Sequence, residues 1–227
     1  MTYLKRTDNK ITFTNNAFKK FTDACGGDPN EFADILYGRF TVEDFSFCDD
    51  VNYWNVLGYF ETKLIPHKIA VYQAGLELSR MDWFKDVRID KDQYLENLWL
   101  HDLSKFSANE SFAYAFHDFT SSKTSPGFDR AWVHHKNHNE HHPEYWLNPS
   151  KDGTLNPLPM PMIYIVEMIA DWIGAGRTYG NELETWLPDN LHKFLWHEET
   201  ASNVKFILEK LGFKALNLNE NQLYIGK

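Results

Sequence analysis

Hydrophobic residues recur three and four positions apart along most of the chain after residue 50. This spacing places apolar side chains on one face of a helix, so it predicts a series of amphipathic helices. Ser107 and Glu110 have the spacing of a capping box at the start of one helix, and Gly212 follows the last helix as a C-cap residue. The helices are predicted at residues 53–81, 91–103, about 108–119, 128–138, 162–175 and 198–211.

The first 50 residues follow a different pattern. Residues 12–22 and 30–37 could each form a short helix, with a Gly-Gly-Asp-Pro turn between them. Residues 40–47 alternate in part, as in a strand or an extended clasp, and the pattern does not decide between these. We therefore expect a small mixed N-terminal appendage at residues 1–50 and a helical domain at residues 51–227.

The composition of the chain restricts the classes of protein to which it can belong. Apolar residues make up 43% of the chain and aromatic residues 16%, which is enough to bury a large core. A net charge of −9 disfavours binding to extended nucleic acid and favours small substrates. Cys25 and Cys48 form no paired motif, and no apolar segment has the length of a signal peptide or a membrane span. We expect a cytoplasmic protein without membrane contact, and the aromatic-rich appendage could support a homo-oligomer.

The pair His101-Asp102 ends the apolar helical run at residues 91–103. His67 precedes it in one predicted helix, and Asp171 follows in another. Imidazole and carboxylate ligands together suit Mn, Fe, Co, Ni, Zn and, less well, Mg. Such ligands must converge from separate helices, because one helix cannot direct four side chains at one point. The sequence therefore predicts a divalent metal site.

Two further features fit a metal site. Residues 134–142 hold five of the ten histidines, so they are either a ligand source or a solvated loop; His135 and His142 are the preferred ligands. Glu167 and Asp171 lie four residues apart on one face of an apolar helix, where burial without a cation would be costly.

The string His101-Asp102-Leu103-Ser104-Lys105 resembles the His-Asp-aliphatic-Gly-Lys motif of the HD superfamily of metal-dependent phosphohydrolases, with serine in place of glycine. The order of His67, the His-Asp pair and Asp171 resembles the same superfamily. The longer pattern HDLSKF, then HHxxHxxHHPxYW, then EMIADW is similar to a domain-of-unknown-function family found in phages and bacteria, over about residues 60–210.

The HD resemblance implies an all-α, HD-domain-like bundle of about five core helices around one or two divalent ions. It implies a phosphohydrolase that acts on a nucleoside phosphate or cyclic nucleotide through metal-activated water. Asp102 or Glu167 would orient or deprotonate the water, and Lys105 would offset phosphoryl charge. Lys105, His138 and Arg177 are the expected substrate-binding residues. The expected metal ligands are His67, His101, Asp102, His135, His142 and Asp171.

Three alternatives stay open. Some HD-fold proteins are mixed-valent di-iron oxygenases of small molecules, and this chain could be another. An HNH-like nuclease is suggested by His134, His135 and nearby asparagines, although the acidic charge and the lack of paired cysteines oppose it. The third alternative is a non-catalytic phage factor that contains a metal and binds a nucleotide or a protein.

Overall fold

The computed structural model describes residues 8–42, 50–119, 126–214, 216–219 and 222–225. These residues are mainly helical, which confirms the all-α class. The strands pair as two short antiparallel hairpins, β1 with β2 and β3 with β4. The helices are α1 (Asp8–Cys25), α2 (Pro29–Arg39), α3 (Asp50–Tyr59), α4 (Ile65–Leu78), α5 (Lys91–Leu100), α6 (Ser111–Phe119), α7 (Pro126–Lys136), α8 (Met162–Tyr179), α9 (Leu183–Asn190) and α10 (Glu198–Lys210). The strands are β1 (Leu147–Pro149), β2 (Leu155–Pro157), β3 (Leu216–Asn219) and β4 (Gln222–Ile225).

The chain forms two compact units. The first consists of Met1–Ile69 and Trp99–His138, and the second of Ala70–Leu98 and Asn139–Lys227. Each unit has its own hydrophobic core. The predicted division at residue 50 stays a prediction.

The core of the first unit is rich in aromatic rings. The ring of Phe18 in α1 lies 4.8 Å from that of Phe32 in α2 and 5.2 Å from that of Phe106. Phe106 in turn lies 4.9 Å from Phe60, which precedes α4. The two N-terminal helices therefore share one core with the segments that carry His67 and His101.

The core of the second unit forms around α8. Ile165, Val166, Ile169 and other apolar residues of α8 are buried against α10 and α9. Gly174 of α8 allows a close approach to α4, since a Cβ at this position would lie 2.7 Å from the backbone nitrogen of Val71. Helix α9 is absent from the sequence-based prediction.

Several predicted boundaries shift in the structure. The helix predicted at residues 91–103 ends at Leu100, and a 3-10 turn follows at Leu103–Phe106. The predicted capping box is wrong: Ser107 Oγ makes no hydrogen bond within the described residues, and the Glu110 side chain contacts histidines instead. The final helix ends as predicted, with Gly212 at φ 97°.

The strand or clasp predicted at residues 40–47 lies largely outside the described residues, and Cys48 also lies outside them. Among the described helices, none combines the length and the apolar composition needed to cross a membrane.

Candidate metal centre

A π-helical turn leads into the helix that carries His67. The turn spans Phe60–Leu64, between α3 and α4, and the N–H of Ile65 donates to the carbonyl of Phe60. Pro66 has no N–H to give to residue 62, and in an α-helix its ring would clash with that carbonyl. The wider turn lies where these two effects of Pro66 disfavour a regular α-helix, and the buried His67 follows in the first turn of α4. Such turns occur frequently at functional sites.

The backbone is left-handed at Asp102, just after the end of α5. Asp102 has φ 58° and ψ 23°, a conformation that aspartate tolerates better than most residues. The helix α5 therefore stops just before His101, and the chain turns into Leu103–Phe106. Both side chains of this turn, His101 and Asp102, are buried.

Three imidazoles surround the Asp102 carboxylate, which is only 1% exposed. His67 Nε2 lies 3.3 Å and His101 Nε2 lies 3.5 Å from Oδ2. His135 Nε2, from α7, lies 3.3 Å from Oδ1. Four residues predicted as ligands, from α4, from the turn after α5 and from α7, thus lie close together, and all four belong to the first unit.

The spacing of these atoms fits a metal ion. The separations are longer than the 2.7–2.9 Å typical of charge-assisted hydrogen bonds, and the His67 contact at 3.3 Å is a long hydrogen bond. Ligand atoms at about 2.1 Å from an ion lie about 3.0 Å apart in octahedral directions and about 3.4 Å apart in tetrahedral directions. Ligand atoms of His67 and His101 lie within 4.8 Å of each other, as do those of Asp102 and His135. This buried His/Asp cluster could hold a metal ion.

Charge keeps Asp102 ionised. Burial alone would raise the pKa of this carboxyl group. The ammonium of Lys105, the neighbouring His101 and His135, and the hydrogen bond from His67 together hold its pKa well below the usual value. Asp102 is therefore an anionic ligand throughout the physiological pH range.

Lys105 lies at the edge of this cluster. Its Nζ donates to Asp102 Oδ2 at 2.6 Å, and its side chain is 14% exposed. Its ammonium also lies 5.4 Å from the centre of the Tyr114 ring. Lys105 is thus close enough to neutralise the cluster and retains some access to solvent.

A buried glutamate supports two histidines of α7. The Nδ1 atoms of His134 and His135 lie 2.6 and 3.0 Å from the two oxygens of Glu110, which is fully buried. Burial raises the pKa of Glu110 to about 8, while Ser104 and Lys105 partly oppose the rise. A carboxylate on the far nitrogen of a histidine is typical of metal ligands, because it fixes the ring and its tautomer. Sequence patterning assigned Glu110 to a helix cap, so this role was not anticipated.

The second unit contains its own group of histidine and carboxylate side chains. His141 Nδ1 lies 3.2 Å from Glu167 Oε1, and His141 Nε2 lies 3.9 Å from Asp171 Oδ2. Asn97 Nδ2 donates to the other oxygen of Glu167 at 3.4 Å. Glu167 is buried and Asp171 is half-buried. The prediction did not include His141, although the structure buries it more deeply than its neighbour His142.

His142 is half-buried, with its ring 4.4 Å from the ring of His141. Candidate ligand atoms of these two histidines lie within 4.8 Å of each other. The assignments of His142 and Asp171 as ligands, and of Glu167 as a catalytic residue, stay predictions.

Two predicted substrate-binding residues make structural contacts. His138 is exposed, its Nδ1 lies 2.7 Å from the carbonyl oxygen of His134, and the two rings stack at 3.9 Å. Arg177 donates to both carboxylate oxygens of Glu77 at 3.0 and 2.6 Å. Contact of either residue with a substrate stays a prediction.

Comparison with known proteins gives one finding. The model of a family of unknown function, DUF5662, matches residues 58–213. A comparison with curated proteins and another with solved structures gave no match. The matched region includes every residue predicted for the site and covers more than half of the chain. The chain therefore belongs to DUF5662, a family of unknown function.

Proposed function

We propose that this chain is a metal-dependent phosphohydrolase that acts on a nucleoside phosphate or a cyclic nucleotide. One observation carries the proposal: His67, His101 and His135 all approach the buried carboxylate of Asp102 at 3.3–3.5 Å. The order of these residues along the chain also resembles that of HD phosphohydrolases.

The proposed roles follow from the contacts. His67, His101, Asp102 and His135 would hold the ion, and Glu110 would keep His135 in the required tautomer. The ion would lower the pKa of a bound water and polarise a phosphoryl oxygen. Burial of the four ligands would shield the ion from bulk solvent.

Lys105 would bind the phosphoryl group of the substrate. In the structure its ammonium neutralises Asp102. A bound cation would compete for the same oxygen, so the ammonium would be displaced toward the partly exposed side of the cluster. There it could pair with the phosphoryl oxygens and offset their charge.

A half-exposed indole beside the cluster suits the base of a nucleotide. The ring of Trp132 lies 5.7 Å from that of His135 with an interplanar angle of 27°, and it is 36% exposed. The ammonium of Lys136 lies 5.4 Å from the indole centre. An aromatic face with a cation nearby can stack a base and attract its phosphate.

Metal analysis combined with a substrate panel tests the proposal. The protein is purified without chelator, its metal content is measured, and it is assayed with Mn²⁺, Co²⁺ or Mg²⁺. The panel contains nucleoside mono-, di- and triphosphates and cyclic nucleotides, and release of phosphate and nucleoside is followed. We expect bound metal and hydrolysis of one class, both lost in Asp102→Asn.

Other outcomes separate the alternatives. Bound iron with oxygen uptake and no hydrolysis would replace the proposal with an oxygenase. Recovery of an intact nucleotide from a tight complex would indicate a binding protein.

A further inference from the structure

Lys68 is a fully buried lysine that follows His67 in α4. No sequence motif singles it out, and it has no role in the proposed chemistry. A buried ammonium is costly unless acceptors surround it. Its contacts therefore indicate what it stabilises.

The ammonium of Lys68 contacts two carbonyl groups of the ligand-bearing segment. It donates to the carbonyl oxygen of Trp99 at 3.2 Å and to that of His101. The helix α5 ends at Leu100, so both carbonyls belong to the helix end, where the intrahelical acceptors lose their partners. Lys68 thus binds the backbone on both sides of the last helical residue, immediately before the left-handed Asp102.

The N-terminal helices enclose this contact. The Lys68 ammonium lies 4.7 Å from the ring centre of Phe21 in α1 and 5.2 Å from that of Phe32 in α2. These distances are those of cation–π interactions.

The turn between α1 and α2 holds Trp99 in addition. The indole Nε1 of Trp99 donates to the carbonyl of Gly26 at 3.0 Å. Gly27 has φ 97°, and a Cβ at this position would lie 2.8 Å from Trp99 Cζ2. The helices α1 and α2 therefore pack on the segment that ends in His101 and Asp102.

We propose that Lys68 is a positioning residue for the metal ligands His101 and Asp102. By tying together the carbonyls of Trp99 and His101, it fixes the turn from which both side chains reach the cluster. The role rests on the proposed metal binding and is independent of the reaction catalysed. It also gives the two N-terminal helices a function, since their aromatic rings hold the Lys68 ammonium in place.

The experiment compares Co²⁺ binding by the full-length wild type, Lys68→Met and Val56→Ala. Methionine keeps the length and apolar stem but loses the ammonium. Val56 is a buried residue of α3 in the same core, so its truncation controls for a general loss of stability. Affinity is measured by chelator competition, ligand geometry by the visible absorption of bound Co²⁺, and folding by circular dichroism and thermal melting.

We expect Lys68→Met to bind Co²⁺ about 10- to 100-fold more weakly, the usual range for loss of an outer partner of a ligand, with an altered spectrum. Val56→Ala should melt earlier yet keep the wild-type affinity and spectrum. If Lys68→Met folds and matches the wild type in both, the positioning role is refuted and metal binding stands. If the wild type itself binds no Co²⁺, the metal proposal fails first.

If Lys68→Met does not fold, the Co²⁺ affinity of Lys68→Gln tests the positioning role instead. The glutamine amide is polar but too short to span both carbonyls. Weakened binding in folded Lys68→Gln supports the role, and wild-type binding refutes it.

Discussion

Glu110→Gln tests a residue that contacts two histidines and has no proposed role in substrate binding. When Glu110 is ionised, His134 and His135 can each donate an Nδ1–H to one of its oxygens, at 2.6 and 3.0 Å. Glutamine has a single acceptor oxygen, so one histidine loses its acceptor. Both histidines also lose the nearby negative charge of Glu110, which for His135 makes Nε2 a better metal ligand.

The expected size of the effect depends on pH. Loss of an outer-shell carboxylate typically weakens metal binding about 10- to 100-fold, or about 1.4 to 2.8 kcal/mol. Without metal, burial raises the pKa of Glu110 to about 8, so the group is mostly protonated at pH 7, and a bound cation favours its ionised form. The penalty of Glu110→Gln should therefore be smaller at pH 7 than at pH 9, where it should approach its full value.

Chelator-buffered titrations of Zn²⁺ or Co²⁺ at pH 7 and pH 9 measure this effect. Glu77→Gln is a matched control, since Glu77 is an exposed carboxylate paired with Arg177, and it should leave the affinity unchanged at both pH values. Equal affinities of Glu110→Gln and wild type at pH 9 would refute the assigned role of Glu110.

Three further predictions concern stability and substrate binding. Gly174→Ala should destabilise the protein by about 1–3 kcal/mol, because the new Cβ would clash with the backbone of α4. Gly38→Ala, where the Cβ would meet open space, should be neutral or slightly stabilising. Thermal melting distinguishes the two variants. Without metal, Glu110 keeps its proton up to about pH 8 in the folded protein but only up to about pH 4.5 in the unfolded protein. The free energy of unfolding should therefore fall as the pH rises from about 4.5 to about 8. Denaturant unfolding of Glu110→Gln should not show this fall. Lys105→Met should raise KM for a phosphorylated substrate in steady-state kinetics, and an unchanged KM would exclude its contact with phosphate.

Periodicity predicted much of the fold. Helices α5, α8 and α10 are long enough for apolar spacing to reveal them, and their ends lie within a few residues of the predicted ones. The single helix predicted at residues 53–81 is instead α3, a π turn and α4. The errors occur where backbone geometry departs from regular helix. The π turn lies just before Pro66, and Asp102 is left-handed, but neither feature changes the hydrophobic pattern.

The candidate site was predictable in part for a similar reason. His67, His101, Asp102 and His135 could be chosen because ligand chemistry restricts residue type and because their order resembles a known superfamily. Glu110 and Lys68 could not, since a buried glutamate in a capping position and a lysine in a helix have ordinary roles in most sequences. Their proposed roles rest on the contacts with His135 and with the carbonyl of His101.

The central claim is that Asp102 and the histidines around it hold a metal ion. Elemental analysis of the wild type and of Asp102→Asn, purified side by side without chelator, tests it most directly. Asparagine also tolerates the left-handed conformation, so the backbone turn should persist while the anionic ligand is lost. We predict at least one equivalent of a divalent transition metal in the wild type and a near-complete loss in the variant. Equal metal content in the two proteins, or none in the wild type, would contradict the claim.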